Sequence, residues 1–271
     1  MTFLYSIPAG VVLLAALVIS IALAAAGQLL VHRRFRSQDF IAHNDVGGII
    51  ITVSGALYAV ILGFLTVVVW QHYIDARQLV VQESDADIDA WHTAVGLPLA
   101  VREQVRADML EYAQIMVGRE WPAMRRGGFE EQAPILDMDA INAVATTEPA
   151  DRRESNAQTA TLQQLTIMHD ARQQRIAINR SGVSGFEWLV LLIGATCIIC
   201  FCWLFGVRNA RMQLLMTSIV VTIIVSTMVL LFELQYPFRS DVGIGPEAWT
   251  GAVAHIRSMQ MGEHGHMQMQ M

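Results

Sequence analysis

Four apolar stretches, each about as long as a bilayer crossing, dominate the sequence. They run from about Pro8 to Val31, Gly48 to Trp70, Trp188 to Val207 and Gln213 to Phe232. A transmembrane helix needs about 20 mostly apolar residues, and each stretch is too long for a buried core helix in a chain of 271 residues. The pattern predicts an integral membrane protein with four spanning helices and the lipid bilayer as a partner.

The first stretch has a second possible interpretation. It contains Ala-x-Ala patterns between Ala22 and Ala26, and such patterns are found at the cleavage sites of signal peptides. Signal peptides carry basic residues before their apolar region, whereas here the arginines come after it. We therefore interpret the stretch as a spanning helix rather than as a cleaved leader.

The placement of arginine predicts the orientation in the membrane. Arg33, Arg34 and Arg36 come after the first stretch, and Arg208 and Arg211 separate the third from the fourth. Short loops that are rich in arginine stay on the cytoplasmic side. The sequence thus predicts that both termini and the middle segment lie outside the cytoplasm, in the periplasm if this is a bacterial inner membrane.

The polar residues of the chain are concentrated between the second and third stretches. Residues 71–185 hold 17 acidic residues and 11 arginines, and their apolar residues recur at helical spacing. The expected architecture is all-α, with residues 1–70 and 186–235 in the membrane, 71–185 as a helical extramembrane domain and 236–271 as an extramembrane tail. The predicted helices of the middle domain extend from the second span to about Gly96, and over Leu99–Met124, Ala133–Ala145 and Glu154–Asn179.

Several functional classes have no support in the sequence. It contains no metalloprotease, phosphate-loop or nucleophile-elbow pattern, so we predict that the protein is not an enzyme and has no cofactor. The net charge of −6 does not resemble a nucleic-acid-binding footprint. His72, His92 and His169 are scattered along the chain, and we interpret them as surface or core residues rather than as a metal site.

Small residues recur at every fourth position in the second stretch. Gly55, Ala59 and Gly63 lie on one helical face, and small residues at this spacing let two helices approach closely. The face could pack within one subunit or between subunits, and the sequence does not decide between these alternatives.

The fourth stretch carries a polar face. Ser218, Thr222 and Ser226 succeed one another at four-residue spacing, and Glu233 continues the same face to the membrane edge. One interpretation is that the hydroxyls bond back to their own helix or to a neighbour. The other is a pore-lining face with Glu233 as a ring of charge at the outer mouth, which would favour cations.

The end of the chain is rich in soft metal ligands. His264, His266, Met267 and Met269 come after Met259 and Met261, and thioether and imidazole groups at this density can bind copper or silver. The alternative is a disordered tail whose composition is accidental.

A set of short motifs is spread along most of the chain. The residues are His43, Asn44, Asp45, Gly48, Trp70, Trp121, Pro122, Arg172, Arg175, Pro237 and Phe238. In this spacing the sequence resembles a family of mostly bacterial membrane proteins that are called bestrophin-like and contain a domain of unknown function. The resemblance implies four spans with a helical insert, and kinship to the bestrophins, which are oligomeric anion channels with their middle helices in the cytoplasm.

These features are compatible with three hypotheses for the function. The first is a homo-oligomeric channel or pore for inorganic ions. The second is a non-conducting sensor or scaffold whose helical domain binds a partner. The third, which has the least support, is copper or silver handling through the tail.

Overall fold

The described part of the chain folds into helices. A computed structural model describes residues 5–34, 44–205 and 209–269, with side chains up to residue 262. The main helices are α1 Ala9–Arg34, α2 Asn44–Thr93, α3 Leu99–Ile115, α4 Ala133–Ala145, α5 Arg152–Arg180, α6 Gly185–Trp203, α7 Ala210–Leu234 and α8 Glu247–Met269. The all-α prediction is confirmed.

Four helices are long and apolar enough to cross a bilayer, namely α1, α2, α6 and α7. The prediction of four spans is thereby confirmed, and the protein is a multi-pass membrane protein. The third span was predicted to reach Val207, whereas α6 ends at Trp203. The side-chain amide of Gln213 donates to the carbonyls of Cys202 and Phe205, at 3.3 and 2.7 Å, and so caps the end of α6.

The chain divides into two compact units. The first comprises Met1–Tyr73, Gly182–Tyr236 and Ser240–Val242, and it contains α1, the apolar part of α2, α6 and α7. The second comprises Ile74–Ser181, Pro237–Arg239 and Gly243–Met271. Helix α2 thus contributes its first part to the membrane unit and its charged second part to the other unit.

The core of the first unit is built around Tyr58. Its hydroxyl donates to the carbonyl of Leu191 at 3.3 Å, and its ring lies against Gly194 of α6. A Cβ atom at position 194 would lie 2.5 Å from Tyr58 Cδ2, so the close approach of α2 and α6 requires glycine there. Leu62 and Leu231 complete this part of the core.

The second unit includes the end of the chain, which the sequence led us to treat as a separate tail. Trp249, Ala252 and Ile256 of α8 are buried in the core with residues of α2, α3 and α5. These three residues recur at helical spacing, and this pattern was the available signal for a packed helix. His264, His266, Met267 and Met269 belong to α8 by their backbone, but their side chains lie outside the described part of the structure.

Helix α3 does not continue regularly to Met124 as predicted. A π-helical turn, Met116–Glu120, separates it from a short helix, Trp121–Arg125. Pro122 lies in the first turn of that short helix, where its missing amide hydrogen costs little. Gly127, with φ of +82°, comes after the helix end in the left-handed conformation that glycine adopts most readily.

Candidate functional site

A cluster of charged side chains is buried in the core of the second unit. Glu83, Glu120 and Arg175 have no accessible surface, and Arg172 is 2% exposed. Burying a charge costs several kcal/mol unless it is paired and hydrogen bonded. These residues, which we call the buried ion cluster, are therefore held together by contacts that must offset that cost.

The central contact of the cluster joins α5 to α2. The Arg175 guanidinium donates from Nε to Glu83 Oε2 at 2.5 Å and from Nη2 to Glu83 Oε1 at 3.0 Å. Bidentate pairs of this kind are the strongest ion pairs in proteins. The hydroxyl of Tyr112, from α3, donates to Glu83 Oε1 at 2.6 Å. One carboxylate thus links three helices.

The π-helical turn supplies the second carboxylate. Glu120 accepts from Arg172 Nη2 at 3.3 and 3.4 Å, and its Oε1 lies 3.5 Å from Arg175 Nη2. The backbone amide of Glu130 donates to its Oε2 at 2.7 Å. A π turn adds one residue to a helical turn and thereby rotates the next part of the helix, and such turns are frequent at functional sites. Here the turn places Glu120 in the core.

The cluster contains two arginines and two glutamates, so their formal charges cancel. Burial by itself would lower the pKa of Arg175, but Glu83 and Glu120 raise it above its usual range. Burial and the neighbouring Glu83 raise the pKa of Tyr112, so its hydroxyl stays protonated and remains a donor. We interpret the cluster as a set of contacts that holds the helices together and not as a substrate-binding site.

Asp87 lies one helical turn after Glu83 and is also fully buried. Within the described residues, neither oxygen of its carboxyl group has a hydrogen-bond partner. A carboxylate in such surroundings would be strongly destabilised, so Asp87 is expected to be uncharged.

The motif residues that carry the family resemblance fall into both units. Arg172 and Arg175 belong to the buried ion cluster. The indole nitrogen of Trp121 donates to the carbonyl of Ile244 at 3.0 Å, and its ring meets the Phe238 ring edge-on at 5.8 Å.

Other motif residues lie on α2. Asn44, Asp45 and Gly48 are at its beginning, whereas Trp70 lies further along the helix and stacks on Tyr73. Pro122 and Pro237 belong to the second unit, and His43 lies outside the described residues.

The polar face of α7 is only partly accessible. Ser218, Thr222 and Ser226 are half-buried, and the Thr222 hydroxyl donates to the Ser218 carbonyl at 2.8 Å. Glu233 is buried, at 4% exposure. In the single chain, therefore, Glu233 does not present its carboxylate to solvent.

The small-residue face of α2 has no neighbour in the described part of the chain. A Cβ atom at Gly55 or Gly63 would meet nothing within 4 Å, and Ala59 is exposed. The single chain thus leaves open the face that the sequence predicted to pack within or between subunits.

A half-buried carboxyl group, Asp108 on α3, makes the second unit sensitive to pH. Burial, together with the nearby charges of Asp139 and Glu111, raises the pKa of Asp108 to about 6. A carboxyl group whose folded pKa exceeds its unfolded value stabilises the fold when protonated. That stability is fully present below the ordinary aspartate value of 3.8 and is lost as the pH rises through about 6.

Asp108→Asn is therefore expected to stabilise the protein at about pH 7.5 by about 1 kcal/mol, after allowance for the partial exposure of the group. Near pH 4 the gain should vanish, because the native carboxyl is then already protonated. Thermal unfolding of both proteins at the two pH values measures the difference. An equal gain at both pH values would contradict the assignment to Asp108 ionisation.

Comparison with known proteins supports the same architecture. The family model of the Bestrophin-like domain matches residues 18–249. Two crystal structures of variants of a bacterial bestrophin homologue from Klebsiella pneumoniae are similar in fold, with TM-scores of 0.68 and 0.70 at 12% sequence identity. The similarity covers 89% and 90% of this chain and 98% of the homologue.

No curated protein matches the chain in sequence. The family match nevertheless covers most of the chain, including the larger part of α1, the other three spanning helices and the buried ion cluster. The chain belongs to the bestrophin-like family of membrane proteins.

Proposed function

We propose that the protein is a homo-oligomeric ion channel, in which spanning helices from several copies surround the pore. The observation that carries the proposal is the open small-residue face of α2. Gly55, Ala59 and Gly63 have the spacing that permits close helix contact, yet nothing in the described chain occupies the space beside either glycine. A second copy would fill that space, and family membership supports a channel as the result.

We further propose that the channel conducts anions. The argument for cations rested on a ring of Glu233 carboxylates at the pore mouth. Since Glu233 is only 4% exposed, it is poorly placed to provide such a ring. The resemblance to the bestrophins supports anions instead.

The proposed orientation is based on the arginines. Arg33 and Arg34 lie in the last turn of α1, and Arg211 lies in the first turn of α7. If these ends lie in the cytoplasm, both termini and the second unit lie on the other side.

Ion flux from proteoliposomes under opposed chloride and potassium gradients tests the proposal. We expect a flux whose direction corresponds to the chloride gradient, and we expect Glu233→Gln to leave the reversal potential unchanged. Vesicles without protein provide the control for leakage. A flux that corresponds to the potassium gradient would contradict the anion assignment. The absence of flux from folded, oligomeric protein would favour the non-conducting sensor or scaffold.

A further inference from the structure

Two histidines that are far apart in sequence lie side by side in the second unit. The ring centres of His92, on α2, and His255, on α8, are 5.9 Å apart, and the planes are inclined by 60°. The scattered positions of the histidines in the sequence led us to interpret His92 as an ordinary surface or core residue. His92 is exposed, and the folding of α8 into the second unit additionally places it beside His255.

Both backbones are fixed by neighbours in the core, while the imidazoles themselves are exposed. Trp91 is 2% exposed and meets the His92 ring edge-on at 5.6 Å. On α8, Ile256 is fully buried next to His255, and Ala252 is buried three residues before it. Because both backbones are anchored in the same core, the two helical positions are fixed relative to each other before any ligand binds, which favours binding.

The separation of the rings suits a shared metal ion. With metal–nitrogen bonds of about 2 Å, two imidazoles on one ion have ring centres about 5–6.5 Å apart, depending on the bond angle. The observed 5.9 Å lies in that range. Binding of a shared ion requires the two exposed side chains to direct one nitrogen of each ring at a common point.

The other donors near the pair decide the class of ion. Among the residues that the structure describes, no group of three or more His, Cys, Asp or Glu side chains could hold a metal ion. Zinc normally takes four ligands, and hard cations take six or more oxygens. A soft monovalent ion accepts fewer ligands and prefers thioether and imidazole donors.

Met259 supplies such a donor. It lies four residues after His255 on α8, so the two side chains share a helical face with Cβ atoms about 5–6 Å apart. Met259 is partly buried against the core of the second unit. We propose that His92, His255 and Met259 bind one soft monovalent metal ion of the Cu(I) or Ag(I) class. This site is distinct from the channel function and does not depend on it.

Silver titration of the full-length purified protein in detergent tests the proposal. Because free thiols also bind Ag⁺, the experiment uses a background with Cys197→Ala, Cys200→Ala and Cys202→Ala. We expect His92→Gln and His255→Gln each to weaken the binding of one Ag⁺ ion. The loss of affinity should reach or exceed the roughly 10–100-fold loss that changes around a metal site typically cause. The matched control is His72→Gln, an exposed histidine on the same helix, and it should leave this binding unchanged.

Two further variants separate this site from its alternatives. Met259→Leu should weaken Ag⁺ binding and leave any Zn²⁺ binding unaltered, since only the thioether is lost. A chain with His264→Gln, His266→Gln, Met267→Leu and Met269→Leu should retain the site, with far-UV circular dichroism confirming that each variant is folded. The proposal is overturned if His92→Gln binds Ag⁺ as tightly as its parent, if the tail changes remove the binding, or if Zn²⁺ binds more tightly than Ag⁺.

Discussion

Arg175→Leu is expected to destabilise the second unit by about 3–5 kcal/mol, which approaches the whole stability of many domains. The substitution would leave Glu83, which has no accessible surface, without its bidentate partner. Glu120 would at the same time lose one of its two arginines. Removing one member of a buried ion pair is costly because the remaining charge stays desolvated.

Thermal unfolding monitored by circular dichroism measures this effect. The matched control is Arg153→Leu, an exposed arginine on the same helix, for which a change within about 0.5 kcal/mol is expected. A double variant, Glu83→Leu with Arg175→Leu, should recover part of the loss, because both charges of the central pair are then removed. If Arg175→Leu cost no more than Arg153→Leu, the buried ion cluster would not be the element that stabilises this unit.

The combined change Gly55→Leu and Gly63→Leu is expected to dissociate the oligomer. A leucine at either position would occupy the space into which we place a neighbouring copy, and overpacking costs about 1–3 kcal/mol per site. At about 1.4 kcal/mol for each factor of ten, the two changes together weaken association at least tenfold. The fold of the single chain should be preserved, since a Cβ atom at either position would meet nothing within 4 Å.

Size-exclusion chromatography with light scattering gives the mass of the protein in detergent. Ser54→Leu is the control, because it also replaces an exposed small residue of α2 but lies on a different side of the helix. An unchanged mass after the double glycine substitution would place the interface elsewhere. It would also remove the observation on which the channel proposal rests.

The membrane-spanning helices could be predicted because the bilayer imposes their length and composition. Other helix limits could be read from local signals, such as Gly96 and Pro98 after α2. The π-helical turn could not be predicted, since the sequence from Leu99 to Met124 fits a regular helix equally well. The burial of Glu120 could not be predicted either, because it depends on that turn.

The buried ion cluster illustrates a second limit of sequence reasoning. Arg175 and Glu83 are 92 positions apart, and residues 71–185 offer many pairings of acid with arginine. A single sequence does not show which charges are buried together. The histidine pair could not be predicted for a related reason, because His92 and His255 meet only when α8 packs in the second unit.

The long separation between Glu83 and Arg175 also has a consequence for biosynthesis. At about 5–20 residues per second, the ribosome adds the arginine about 5–18 s after the glutamate. During this interval the carboxylate has to remain hydrated, because its partner does not yet exist. The second unit cannot close before α5 has been made, and Trp249 of α8 is added later still. A nascent chain that stalls between these points would expose an incomplete acidic core to chaperones and proteases.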